Sequence, residues 1–133
     1  MAAEHDEQVA LFAWADLMVT QYPELEFMFA IPNGAKLPWR RNSKGKRYSP
    51  EAMNLKREGL LPGVPDVMLP CARGIYFGLF VEMKFGTNKP SEAQREVMAY
   101  LNKAGYKVAV CYDWEEASRT ILWYLRLTKK GDF

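Results

Sequence analysis

The run Ile75-Tyr76-Phe77-Gly78-Leu79-Phe80-Val81 is apolar almost throughout, yet it ends in Glu82-Met83-Lys84. It is far shorter than the ~20 residues a membrane helix requires. Its aromatic and branched side chains suit a strand buried on both faces. Carboxylates at the end of such a strand are costly unless they are paired or bound to a cation. Side chains alternate along a strand, so Glu82 and Lys84 share one face and Met83 points to the other. A chain of 133 residues with 49% hydrophobic and 14% aromatic residues can enclose such a strand in one domain spanning 1–133.

The rest of the chain supplies the layers. Val9, Ala10, Phe12, Ala13, Leu17 and Met18 recur at helical spacing, which predicts a helix over 6–21 that stops before Pro23. Residues 26–31 read as a short strand ended by Pro32-Asn33-Gly34. Ser49-Pro50-Glu51 is a helix start, with serine as cap and proline in the first position, and Gly59 is the stop. Residues 63–70 form a strand framed by turn residues, joined to the apolar strand by a tight connection at 72–74. Ser91 caps a helix over 92–103, with Gly105 just beyond it. Residues 106–112 are a third core strand, and Asp113 caps a last helix from Trp114 to about Leu125. The tail from Thr128 is polar and expected to fray. This order predicts an α/β fold, a central mixed sheet flanked by helices on both faces. The last helix has a broad apolar face (Trp114, Ala117, Ile121, Leu122, Leu125), which a second copy of the chain would cover in part.

The net charge of +2 conceals an uneven distribution. Lys36, Arg40, Arg41, Lys44, Lys46 and Arg47 fall within twelve residues that contain no acid, so the remainder of the chain is net acidic. A basic arm at about 34–48, broken by Gly34, Pro38 and Gly45, reads as a loop built to meet a polyanion. Trp39 and Tyr48 flank it, placed either to stack on exposed bases or to fill a gap in the core. Cys71 and Cys111 stand far apart, a spacing that argues against a structural zinc site and a disulfide scaffold. The polar start, residues 1–8, is unlike a signal peptide, and the expectation is a cytoplasmic protein without membrane contact.

Two strand ends concentrate the chemistry. Pro65-Asp66 opens one strand and Glu82-Met83-Lys84 closes the next. If the two strands form a hairpin, Asp66 and Glu82 both lie at its open end, where a cation fits between them. Phosphodiester hydrolysis brings water to an already anionic phosphorus. A hard cation held by carboxylates stabilises the growing charge, and a neighbouring lysine orients water or binds phosphate. The letters alone prove little: 11 Glu and 10 Lys in random order give about one Glu-x-Lys. Their placement on adjoining strand ends is the specific part.

That placement resembles the PD-(D/E)XK nuclease superfamily, and more narrowly the VRR-NUC, or virus-type replication-repair nuclease, type. The residues concerned are Glu7-Gln8, Pro32-Asn33-Gly34, Gly63-Val64-Pro65-Asp66, Phe80-Val81-Glu82-Met83-Lys84, Ser91, Gln94 and Gly105. The resemblance implies a restriction-endonuclease-like core and a DNA endonuclease dependent on Mg2+ or Mn2+. It implies that Asp66, Glu82 and the Met83 carbonyl bind metal, with Glu7 as a further carboxylate. Lys84 would serve the attacking water, and Gln94 would brace the site or the substrate as a further catalytic residue. Such nucleases often carry an acid in the loop after the lysine, where this chain has Asn88. Stand-alone members are associated with phage and bacterial genomes and are similar to the nuclease domain of the Fanconi-associated repair nuclease. The implied substrate is branched DNA, such as Holliday junctions or flaps, in replication or repair, and the implied assembly is a homodimer or higher homo-oligomer.

Other readings stand beside these. Glu82 and Lys84 also fit an ion pair at a strand end, and Asp66 fits a turn residue after proline. Glu7 also fits a carboxylate that favours its helix dipole, and Gln94 a side chain facing water. A nucleic-acid-binding module with little catalysis is the alternative function, which an intact Asp66, Glu82 and Lys84 set disfavours. A sequence-specific restriction-type enzyme would need a target-reading region for which the chain has little room.

Overall fold

The computed structural model of the chain describes residues 2–32 and 37–129. Helix α1 (Ala2–Met18) leads through a 3-10 turn (Pro23–Phe27) into strand β1 (Phe29–Ala30). Strands β2 (Arg40–Arg41) and β3 (Arg47–Tyr48) precede helix α2 (Pro50–Arg57). Strands β4 (Val67–Leu69) and β5 (Leu79–Met83) follow, then α3 (Glu92–Lys103), β6 (Lys107–Cys111) and α4 (Trp114–Leu125).

The main sheet has the order β1-β4-β5-β6. β1 and β4 are antiparallel, as are β4 and β5, while β5 and β6 run parallel across the α3 crossover. All five residues of β5 are buried, as an apolar central strand requires. Its alternation divides two environments. Leu79, Val81 and Met83 join a core with Leu11 and Ala15 of α1 and Ala117, Ile121 and Tyr124 of α4. On the other face Phe80 packs edge-on to Tyr106, and Glu82 reaches α3. The broad apolar face of α4 is thus covered largely within the chain, by α1, β5 and β6.

The three predicted caps are all made. Ser49 accepts from the Ala52 amide, Ser91 from Gln94 and Asp113 from Glu116. Several stretches depart from the sequence-based expectation, among them the strand expected over 63–70, of which only Val67–Leu69 forms one. The first helix is displaced toward the start of the chain and ends at Met18. Of the strand expected over 26–31, only Phe29–Ala30 is strand, because Pro23 starts a tight turn that inserts Leu25 into the core. The basic arm is an ordered hairpin, β2 with β3, rather than a loop. The Asn42 side-chain oxygen accepts from the Lys44 and Lys46 amides and closes its turn. Lys36, also expected in the arm, lies outside the described residues. Finally, β5 begins at Leu79: Ile75 and Phe77 are exposed in a turn closed by paired Arg73 and Tyr76 backbone hydrogen bonds.

That turn is anchored by Arg73, which is only 6% exposed. Its Nε donates to the Leu125 carbonyl at 3.3 Å, Nη1 to the Ala72 carbonyl at 2.9 Å, and Nη2 pairs with Glu24 of the 3-10 turn. The start of the tail is tied to the same place, as Gly74 donates to the Thr128 carbonyl at 2.7 Å. Arg73→Ala removes all three side-chain links and leaves buried acceptors bare. It should cost about 3 kcal/mol in urea unfolding, and a loss below about 1 kcal/mol would contradict the anchoring role.

Candidate active site

The register of the sheet assembles the acidic strand ends. Val67 pairs with Val81 in the antiparallel β4–β5 ladder, so one step further Asp66 faces Glu82. Both are buried, Asp66 at 4% and Glu82 at 2% exposure. The Asp66 carboxylate accepts the Met83 amide at 2.9 Å, so the side chain takes a ladder position at the strand end. The Asp66 carbonyl accepts from Ile31 at 2.8 Å, which carries the β1 edge alongside. Lys84, next on the same face as Glu82, has its Nζ 3.6 Å from Glu82 Oε2.

Helix α3 holds the other side. Its first turn forms a capping box in which Gln94 Oε1 accepts from the Ser91 amide at 2.8 Å. A backbone amide can only donate, so this contact fixes the orientation of the Gln94 amide and turns its NH2 group inward. Gln94 Nε2 donates to Glu82 Oε2 at 2.8 Å. Gly63 sets the spacing between this turn and the chain entering Asp66. A Cβ there would lie 2.6 Å from the Ala93 carbonyl oxygen, and the backbone has φ +95°. Only glycine allows both the conformation and the approach.

The electrostatics of the pair are unbalanced. Glu82 Oε1 is buried and receives no hydrogen bond from any described residue. Burial, and then the Asp66 charge, push the Glu82 carboxyl up to about 8, with Lys84 opposing. Two carboxylates face one ammonium, and one carboxylate oxygen lacks a donor. Such a donor set, hard oxygens with a local charge deficit, fits a divalent cation.

Glu7 occupies a different contact. Its Oε1 accepts from the Trp114 amide at 3.1 Å, adding a second acceptor to the start of α4 beside Asp113. Among the described residues, no three acidic, histidine or cysteine side chains form a compact cluster. Of the basic residues, Lys46 and Arg47 line a cavity of about 820 Å³ whose walls also include Lys84 and Gln94. Arg47 lies over the Trp39 ring at 5.0 Å. Arg40 pairs with Glu51 at 3.1 Å, and Arg41 donates to the Gly45 carbonyl at 2.8 Å. Lys44 sits at the exposed hairpin turn. Sequence reasoning missed one contributor and assigned no role to another that it quoted, Gly63. Lys56 of α2 lines the same cavity, and Gly63 fits against α3. The Ser-x-x-Gln spacing at 91–94 is a local signal for the inward turn of Gln94, whereas no local signal exists for Gly63, whose partner lies thirty residues away.

A mixed sheet between helices, bearing a carboxylate pair at its central strand end, is the frame of a nuclease-type domain. The chain belongs to the VRR-NUC domain family, whose model matches residues 4–114. A solved structure described as a VRR_NUC domain protein is similar at a TM-score of 0.72 and 26% identity, over 96% of this chain and 91% of that chain. No curated protein matches the chain. Membership implies a nuclease-type function and DNA binding, in a family that typically uses divalent metals. No helix among the described residues is long and apolar enough to cross a membrane.

The crowded pair has a consequence for stability. Glu82 binds its proton more tightly in the folded state, about 8 against an ordinary 4.5. The metal-free fold therefore loses stability as pH rises between those values, and the loss is complete above the folded pKa. Glu82→Gln removes the charge but keeps an acceptor for Gln94. At pH 8.5 without metal it should be more stable than wild type by roughly 1–3 kcal/mol, with the difference vanishing near pH 4. Thermal melts in EDTA across this range check it, and parallel stability curves would refute it.

Proposed function

We propose that this domain is a Mg2+- or Mn2+-dependent DNA endonuclease, structure-selective for branched DNA such as flaps or Holliday junctions. In this reading it serves replication or repair in a bacterial cytoplasm or phage-infected host, as a homodimer or higher homo-oligomer. The observation that supports catalysis best is the buried Asp66–Glu82 pair with Lys84 at 3.6 Å and a bare Glu82 oxygen. An inert binding module has no use for so costly an arrangement.

The residues that would hold the metal are Asp66, Glu82 and the Met83 carbonyl, with Glu7 joining from α1, which packs on β5. When bound, the cation supplies Lewis-acid stabilisation of phosphate charge and lowers the pKa of water. Glu82 is held in place by Gln94, so its free oxygen keeps a fixed direction. Asp66 is fixed by the Met83 amide. Lys84 places a positive charge on the cavity wall, where it orients the attacking water and binds a phosphate oxygen. Hydrolysis then forms a bond from the water oxygen to phosphorus and breaks the bond to the leaving sugar oxygen, which takes up a proton. Lys46 and Arg47 on the facing hairpin, with Arg40, Arg41 and Lys44 beside them and Lys36 preceding them, serve as phosphate contacts.

Labelled flap, four-way junction and linear duplex are incubated with magnesium, manganese or EDTA. Cleavage should require a divalent cation. Asp66→Ala, Glu82→Ala and Lys84→Ala should each lower the rate by about 10²-fold or more. Binding without cleavage under every metal would instead leave a DNA-binding module on this fold.

The hairpin has its own test. Replacing Lys44, Lys46 and Arg47 with alanine should weaken DNA binding and flatten the log–log salt dependence by about one unit for each phosphate no longer neutralised. An unchanged salt slope would remove the hairpin from the interface.

A further inference from the structure

The cavity beside Lys84 is of a kind that phosphate binding does not explain. Its volume of about 820 Å³ lies within the ~300–1,000 Å³ of sites that enclose organic ligands. Much of its wall is apolar: Trp39 and Tyr48 from the hairpin side, Met53 from α2, and Leu60 and Pro62 beyond it. Trp39, Tyr48 and Met53 remain 40%, 37% and 59% exposed, so they are not filling the core. Cations edge the same space: Lys46, Arg47, Lys56 and Lys84 contribute to the wall, and no acidic residue does among the described residues. A phosphodiester gains nothing from the apolar part, because a charged group pressed on it loses hydration without compensation. A nucleobase gains from both parts, its ring covered by aromatic and thioether surface while its own phosphates meet the cations.

We propose that this cavity receives an unpaired nucleotide adjoining the phosphate to be cut. The occupant is a single nucleotide of a DNA strand, and the inference rests on the nuclease reading above because it names that site's substrate. Arg47 lies over Trp39 at 5.0 Å, so the aromatic plane comes with an adjoining cation. Drawing a base out of a duplex costs a few kcal/mol and costs least for a base already unpaired. The cavity therefore favours flaps and splayed arms over fully paired four-way junctions. It converts the shape of a DNA branch into a binding difference without reading sequence.

The test places 2-aminopurine singly at each position around the branch of a flap, and in a fully paired junction, and follows its fluorescence on binding in calcium or EDTA. At one position on the unpaired arm the signal should change at least twofold. Trp39→Ala and Met53→Ala, both at exposed positions, should abolish that change and raise the flap Kd by about tenfold, with linear duplex affinity falling by a much smaller factor. No responsive position, equal affinity for flap and fully paired junction, or wild-type flap binding by both variants would overturn the proposal. Cleavage of the same DNAs in magnesium separates the two readings. A responsive base without cleavage under any metal supports the pocket and sinks the nuclease. Cleavage of fully paired junctions with no responsive base sinks the pocket alone.

Discussion

Two carboxylates are held opposite each other in a place where neither is well solvated. The β4–β5 register puts Asp66 against Glu82, and the burial of β5 removes the water that would otherwise screen them. Most of the surrounding structure is arranged around this repulsion. Asp66 takes the Met83 amide, Lys84 stands 3.6 Å from Glu82, and Gln94 donates to the same Glu82 oxygen. These contacts leave Glu82 Oε1 bare. A fold selected for stability alone would place an apolar residue there.

Helix α3 is the brace that gives the pair a fixed shape. Its capping box would ordinarily serve only the helix end. Here the Gln94 amide is divided between two tasks. Its oxygen is committed to Ser91, so its nitrogen is committed to Glu82. The orientation of the acid thus follows from a helix cap, and the position of that cap follows from Gly63 seated against the Ala93 carbonyl. A substitution at Gly63 would act on Glu82 through α3 without touching it.

The parts visible in the sequence are those whose cause is local. Ser49, Ser91 and Asp113 announce helix starts because a cap bonds within three residues of itself. Glu82, Met83 and Lys84 separate correctly by face because strand alternation is a property of the backbone. The strand expected over 26–31 failed because Leu25 is drawn into the core by distant partners and Pro23 favours the turn that delivers it. Arg73 looked like part of a connecting turn, yet its guanidinium joins Glu24, Ala72 and Leu125. Glu7 accepts from the Trp114 amide at the start of α4, a contact that its own place on α1 does not announce. In each case the missing information is a partner remote in the chain.

The alternation of β5 also explains how so small a domain accommodates both a core and a reactive face. Leu79, Val81 and Met83 bring α1 and α4 onto one side, and this packing supplies the hydrophobic stabilisation. The opposite side contributes Phe80 to the core edge and then changes character at Glu82 and Lys84. The rigid acid pair is therefore anchored from behind by the best-packed part of the molecule. The hairpin lies across the cavity from it, exposed along both strands, its turn closed by Asn42 and its Arg40 paired with Glu51 of α2. A rigid acid end opposite a more lightly tethered basic hairpin suits a substrate whose phosphate needs close placement while its flanking strand varies in shape.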